Sequence, residues 1–192
     1  MAAEPQPSTV SYDAYLESEA ASEVKHEFLR GELYAMAGGT PEHAALAMTI
    51  GAELNYSLRG RPCRVYSSDL RVRVEATDLS TYPDLAVVRG ALETSAIDPN
   101  AAINPVVIVE VLSDSTEGYD RGEKFAHYRQ IPSLREYILV SQQTRRLESH
   151  YKNDAGEWVL REAGPGAALE LRALEDVRLE TDVVYHDPLA AG

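Results

Sequence analysis

Residues 104–140 read NPVVIVEVLSDSTEGYDRGEKFAHYRQIPSLREYILV. The segment opens on an almost unbroken apolar run, Pro105 to Leu112, interrupted only by Glu110. A strand without polar alternation is covered on both faces, so this run predicts a central strand. A helix over about 118–130 follows, with Phe125 and Tyr128 on its inner side. Leu134 to Val140 then returns as a further strand.

Upstream, Gly38-Gly39 closes a hairpin unit, KHEFLRGELYAM, whose two short strands turn at Arg30-Gly31. A short helix from Thr9 or Ser11 precedes it, through Tyr12, Tyr15 and Leu16. Thr40 is placed to cap a longer helix, with Pro41 at its first position and Glu42 near the positive end of its dipole. Leu46, Ile50, Leu54 and Leu58 recur every four residues, which predicts an amphipathic helix over 41–58 that Gly60 stops. CRVYSS, DLRVRVE and YPDLAVV are rich in β-branched and aromatic residues and predict three strands, before a loop around Asp98-Pro99-Asn100. Downstream, Arg146 to Lys152, Glu157 to Glu162 and Asp182 to Tyr185 predict later strands. The order of helix, strands, helix, strands predicts an α/β fold (α+β, mixed sheet) built on one sheet.

The chain has 192 residues, 44% of them apolar, which suits one globular domain over 9–188 after a disordered, Pro-rich start at 1–8. One cysteine, Cys63, excludes an internal disulfide framework and fits a structural thiol in a reducing cytoplasm. The N-terminus has neither a basic region nor an apolar core of the signal-peptide kind, and no apolar run is long enough to cross a membrane. A formal net charge of −13 opposes a protein that coats nucleic acid nonspecifically, because such binding depends on displacing phosphate counterions. Any nucleic-acid role must then rest on a local basic group, a bound metal or a partner.

Two acids in apolar strands stand out, because a buried carboxylate is costly without compensation. Asp84 opens DLAVV, and Glu110 lies near the end of PVVIVEVL. If these strands pair antiparallel across the loop from about 89 to 105, Val88 faces Val106 and Asp84 faces Glu110. Directly opposed side chains stand about 5 Å apart at Cβ, close enough to share a divalent cation. A one-residue slip would send them to opposite faces. The alternative is that one or both cap loops or pair with Arg71 or Arg73. Two nearby carboxylates also repel, so at least one should titrate above its ordinary value.

Pro83-Asp84, then Glu110-Val111-Leu112-Ser113, Asp120, Lys124 and Arg135-Glu136-Tyr137 resemble the Uma2 family, a branch of the PD-(D/E)XK, restriction-endonuclease-like nucleases. The likeness runs from Lys25 through the C-terminal strands. It implies a nuclease core, DNA as substrate, and Mg²⁺ or Mn²⁺ ligated by Asp84, Glu110 and the backbone carbonyl of Val111. One departure matters: the superfamily places lysine two residues after the glutamate, and this chain has Leu112. Lys124, a partly exposed residue brought from the following helix, is the replacement that orients water or neutralises the phosphoryl oxygens, or else a solvated surface lysine paired with Asp120 or Glu123. Glu27 offers a further metal carboxylate or pairs with Lys25 or Arg30. His43 donates to a phosphate at its helix start or serves a plain capping role. Asp69 is a site-facing acid or a turn residue, Asp120 supports the helix of Lys124, and Tyr128 shares its face. Other functions compatible with these residues are a non-catalytic nucleic-acid-binding or regulatory module on the same fold, or an unrelated small-molecule metalloenzyme on the same scaffold. A homodimer would suit cleavage of two strands.

Overall fold

A computed structural model of the chain describes residues 9–36 and 38–189. The expected disorder of residues 1–8 lies outside the described residues.

Ser11 caps helix α1 (Tyr12–Ala21), its hydroxyl accepting the Ala14 amide at 3.2 Å. Strands β1 (His26–Leu29) and β2 (Glu32–Ala35) form the expected hairpin. Its turn takes positive φ at Arg30 and Gly31, and a Cβ on Gly31 would meet Thr9 Cβ at 2.8 Å, so glycine is required there. Helix α2 (Pro41–Ser57) starts as its sequence predicts, with Thr40 Oγ1 accepting the His43 amide at 3.1 Å.

Strands β3 (Cys63–Ser67), β4 (Arg71–Val74), β5 (Leu79–Thr81) and β6 (Leu85–Arg89) follow. Next come β7 (Thr94–Ser95), β8 (Asp98–Ala102) and the central β9 (Pro105–Leu112), every residue of which is buried. A helical segment comprises α3 (Glu117–Tyr119), a π-turn over Asp120–Lys124, and α4 (Phe125–Tyr128). Strands β10 (Glu136–Ser141), β11 (Leu147–Lys152), β12 (Trp158–Ala163), β13 (Ala168–Leu171) and β14 (Val177–Glu180) lead to α5 (Thr181–Val184).

The fold is mixed α+β, but among the described residues the expected single sheet is in fact two six-stranded sheets and a two-stranded ribbon. The first sheet runs β2-β1-β5-β4-β8-β7, the second β12-β11-β10-β9-β6-β3. The stretch expected as a loop between 89 and 105 contains β7 and β8, which join the first sheet. Segments of two to five residues show too little periodicity to be read, and their partners come from distant parts of the chain. Asp182 to Tyr185, expected as a strand, instead lie in the helical turn α5 and its end. Tyr185 ends that turn, its hydroxyl donating to the Ser141 and Arg146 carbonyls at 2.7 and 2.8 Å.

Strand β9 pairs parallel to β10 and antiparallel to β6. Its alternation separates two cores. Val107, Val109 and Val111 pack with Leu46, Ile50 and Leu54 of α2, where burying each side chain is worth about 1.5–3 kcal/mol. Ile108 and Leu112 face the other way, with Phe125, Tyr128, Tyr137 and residues of the first sheet. Glu110 shares their parity and so belongs to that second side.

Candidate active site

Register decides whether the two acids meet. Leu85 pairs with Val109, Ala86 with Ile108 and Val87 with Val107, so the expected alignment holds along this stretch. Extended by one residue it sets Asp84 against Glu110. It fails at the far end, where an irregularity after Val87 pairs Val88 with Pro105 and not with Val106. That slip lies beyond the acids and leaves their facing intact.

The carboxylates converge where the second sheet ends. Asp84 Oδ2 accepts the Val111 amide at 2.7 Å, and the Asp84 amide donates to Glu110 Oε2 at 3.4 Å. Neither acid pairs with the arginines weighed against this arrangement: Arg71 binds Asp98 and Arg73 binds Asp78.

Lys124 reaches the same point and is buried at 5% exposure, not partly exposed as expected. Its Nζ lies 2.9 Å from Glu110 Oε1, 3.3 Å from Glu27 Oε1 and 3.5 Å from Asp120 Oδ1. The π-turn from Asp120 to Lys124 carries both residues inward, and the Tyr137 hydroxyl donates to the Asp120 carbonyl at 3.1 Å. Tyr128 donates to Glu110 Oε1 at 2.8 Å. Thr81 donates to Glu27, the one carboxylate that arrives from the first sheet.

His43 stands at the start of α2 with Nε2 3.1 Å from Asp84 Oδ2. Its ring therefore binds a carboxylate and not, as one reading had it, an open anion position. Gly39 makes room for it, because a Cβ there would approach His43 Nδ1 to 2.7 Å. Of the two readings of Asp69 the turn residue holds and the site-facing acid does not: it sits in the turn after β3, paired with Lys25 at 2.7 Å and 85% exposed in its side chain.

The charges do not balance locally. Burial pushes the Glu110 carboxyl up to about 8; the Lys124 ammonium pulls the other way, and Asp84 and Asp120 push it further. Repulsion between acids was the expected cause, but desolvation is the larger. Burial alone would lower Lys124, yet Glu110, Glu27 and Asp120 hold it well above its ordinary range, fully charged. The hydrogen bond to Asp84 raises His43 against the opposing effect of burial. Asp120 is raised by burial, with Lys124 opposing.

Thr81, and the Thr40–Gln142–Leu112 link beside the site, went unread in the sequence. Thr40 donates to Gln142 Oε1 at 2.6 Å, and Gln142 donates to the Leu112 carbonyl at 2.6 Å. These contacts span tens of residues and leave no local signal.

The model of the Uma2 family, described as "Putative restriction endonuclease", matches residues 12–182. The chain belongs to the Uma2 family. Two uncharacterized proteins of Synechocystis sp. are related to it. One, slr1290, is 34% identical over 179 residues, covering 92% of this chain and 91% of the relative. The other, sll1609, is 33% identical over 157 residues, covering 81% and 89% respectively. The crystal structure of a "putative nuclease belonging to DUF820" from Anabaena variabilis superposes with a TM-score of 0.74. It covers 90% of this chain and 96% of that one at 16% identity, a likeness of fold. Family and fold together support a nuclease-type function for this Uma2 member.

Whether the site suits a divalent cation is a question of donors. Among the described residues, no group of three or more His, Cys, Asp or Glu side chains is arranged to hold a metal. Two carboxylates do stand together, and each has one oxygen heavily engaged and one less so. Asp84 Oδ2 and Glu110 Oε1 each take two partners; Glu110 Oε2 takes one long amide bond, and Asp84 Oδ1 takes none among the described residues. Hard oxygen donors in that number fit Mg²⁺ or Mn²⁺, of which Mg²⁺ commonly uses one or two carboxylates and completes its shell with water and substrate phosphate.

Proposed function

We propose that the chain is a metal-dependent endonuclease that hydrolyses DNA phosphodiester bonds, acting as one domain over residues 9–188 in the cytoplasm. The observation that carries this reading is the convergence of Asp84, Glu110 and the buried Lys124 at one sheet end. Among the described residues no helix is long and apolar enough to cross a membrane.

Asp84 and Glu110 would hold Mg²⁺ or Mn²⁺ through their less engaged oxygens. The carbonyl of Val111 would join them, since an extended residue directs its N–H and C=O to the same strand edge and this N–H already meets Asp84. A bound ion would supply a Lewis acid for the phosphate and lower the pKa of an attacking water. Lys124 supplies the fixed positive charge that the motif otherwise places at the position of Leu112, and it would stabilise charge developing on the phosphoryl oxygens. Tyr128 and Glu27 hold that ammonium and its carboxylate partner in place, Asp120 braces it from the π-turn, and His43 fixes the orientation of Asp84. A second reading, a binding or regulatory module without catalysis, draws on the net charge of −13, which weakens attraction to DNA.

The test is cleavage of plasmid and single-stranded DNA in Mg²⁺ or Mn²⁺, with chelator as control. Asp84→Asn and Lys124→Met should each lower the rate by about 10²-fold or more. Lys124→Met also strips three acids of their cation, so each variant's melting profile must be measured beside its rate. A folded Asp84→Asn that cleaves at the wild-type rate overturns the mechanism; a wild type that binds DNA with no cleavage selects the second reading.

A further inference from the structure

Helix α2 packs its inner side on β3, β9, β14 and α5. Its outer side is apolar as well. Ala44, Ala45, Met48, Ala52 and Tyr56 are all exposed, Met48 at 75% and Tyr56 at 67%. Between Glu42 and Arg59 the one fully exposed polar residue is Asn55, with Thr49, Glu53 and Ser57 half-buried. A surface helix ordinarily presents charge to solvent, whereas a helix apolar all round is a buried one. Ala44, Met48, Ala52 and Tyr56, spaced by four, form one continuous ridge along that face.

We propose that this ridge is the interface of a two-fold dimer, in which α2 lies antiparallel against α2 of a second copy. The occupant follows from the pattern, which is complementary to itself when reversed. A two-fold axis at the level of Ile50 sets Ala44 beside the second copy's Tyr56, and Met48 beside its Ala52. Each large side chain then meets a small one, the condition for a ridge of one helix to enter a groove of the other. Reversal also brings Glu42 at one end toward Arg59 of the second copy, whose guanidinium lies over the Tyr56 ring at 4.9 Å in its own chain. The opposed helix dipoles favour the same direction. A different partner would have no reason to match this order of sizes and charges in both directions.

The arrangement has a consequence for the site, which rests on the nuclease reading. His43, beside Asp84, lies seven residues from Ile50, so the two sites stand about 20 Å apart along the helix direction at 1.5 Å rise per residue. Glu110 lies on the side of β9 away from α2, so across the interface the two sites stand further apart, separated by both helices and both sheets.

One helix pair buries less than the roughly 800 Å² per partner of a standard interface, so the dimer should be reversible, with a Kd on the order of 10–100 μM. Sedimentation velocity of the full chain from about 5 to about 500 μM reads it directly, without any cleavage assay. The weight-average mass should rise toward twice the monomer. Met48→Lys, at an exposed position that leaves the fold intact, should weaken association by about tenfold or more. Glu42→Arg and Arg59→Glu should each weaken it by about twofold to fivefold, and the two together in one chain should restore it. A monomer throughout the range overturns the proposal, and so does a dimer indifferent to Met48→Lys, since it would use another surface. Because mass and not activity is read, failure here is separate from failure of the nuclease assignment.

Discussion

Two regions of this molecule bury carboxylates, and they treat the charge differently. Beneath α1, Asp98 receives a two-pronged contact from Arg71 at 3.0 Å on each oxygen, with the Tyr12 hydroxyl at 3.0 Å. Arg71 also donates to Tyr82, and Tyr82 donates to Glu19 at 2.9 Å. There each buried acid has its own strong donor. At the other region, Glu110, Glu27 and Asp120 share the single ammonium of Lys124, and Asp84 stands beside them with His43 as its one side-chain partner. The first arrangement is closed; the second has more carboxyls than cations, and burial pushes Glu110 and Asp120 toward their protonated forms. A structural cluster satisfies its charges internally, and a cluster with surplus acid asks for a cation from outside.

Removing the cation from the closed cluster should have the largest effect. Arg71→Met leaves Asp98 buried and unpaired, and should cost about 3–5 kcal/mol in denaturant unfolding. In metal-free buffer, Asp84→Asn in the open cluster should change stability by less than about 1 kcal/mol in either direction, since it removes surplus charge and keeps an acceptor for the Val111 amide. Equal losses in the two variants would erase the distinction.

Added metal should separate them next. At about tenfold excess over Kd, Mg²⁺ or Mn²⁺ should stabilise the wild type by about 1.4 kcal/mol, or roughly 3–6 °C for a chain of this size. Asp84→Asn combined with Glu110→Gln should abolish that shift, whereas Arg71→Met should keep it. An unchanged melting temperature in wild type would leave the open cluster without its cation.

A third buried acid sharpens the contrast by using neither device. Glu136 is buried and, among the described residues, forms no ion pair, accepting from the Ser149 hydroxyl and from the Ala173 amide at 2.8 Å. Burial raises its pKa, opposed by those hydrogen bonds. A carboxyl raised on folding favours the native state while it is protonated. Its contribution is therefore full below the ordinary glutamate value and is lost as pH rises through the raised one. Glu136→Gln should flatten that part of the stability-versus-pH curve, read from urea midpoints between about pH 4 and pH 8. A decline of the same steepness in the variant would assign it to another group. The smallest effect belongs to Asp69, whose exposed pair with Lys25 should be worth less than about 0.5 kcal/mol, so Asp69→Asn should match wild type in melting and in cleavage.

Much of the site was legible because it is written in strand parity. Glu110 inside an apolar run, and Asp84 at the start of the neighbouring one, each break a local pattern that burial enforces, and antiparallel pairing brings them together by counting alone. Helix α2 was equally plain, since Thr40, Pro41 and a four-residue apolar repeat signal its start and its buried side. Leu112 in the usual lysine position marked a gap, and Lys124 was the cation within reach of it.

The rest depended on distance through space. That Lys124 is buried and not half-exposed follows from the π-turn and from Glu27, which arrives on a hairpin of the other sheet about a hundred residues earlier in the chain. The division into two sheets rests on β5, β7 and β8, strands so short that only their partners make them strands. Residues 181–184 have a strand-like composition and became a helical turn once Tyr185 anchored it to Ser141 and Arg146. Local sequence by itself determined which carboxylates interrupt the apolar strands and on which strand face they lie, because side-chain alternation is a property of the backbone. Tertiary structure decided which charges are compensated and which are left over, because the energy of a buried charge is set by whatever the fold packs against it.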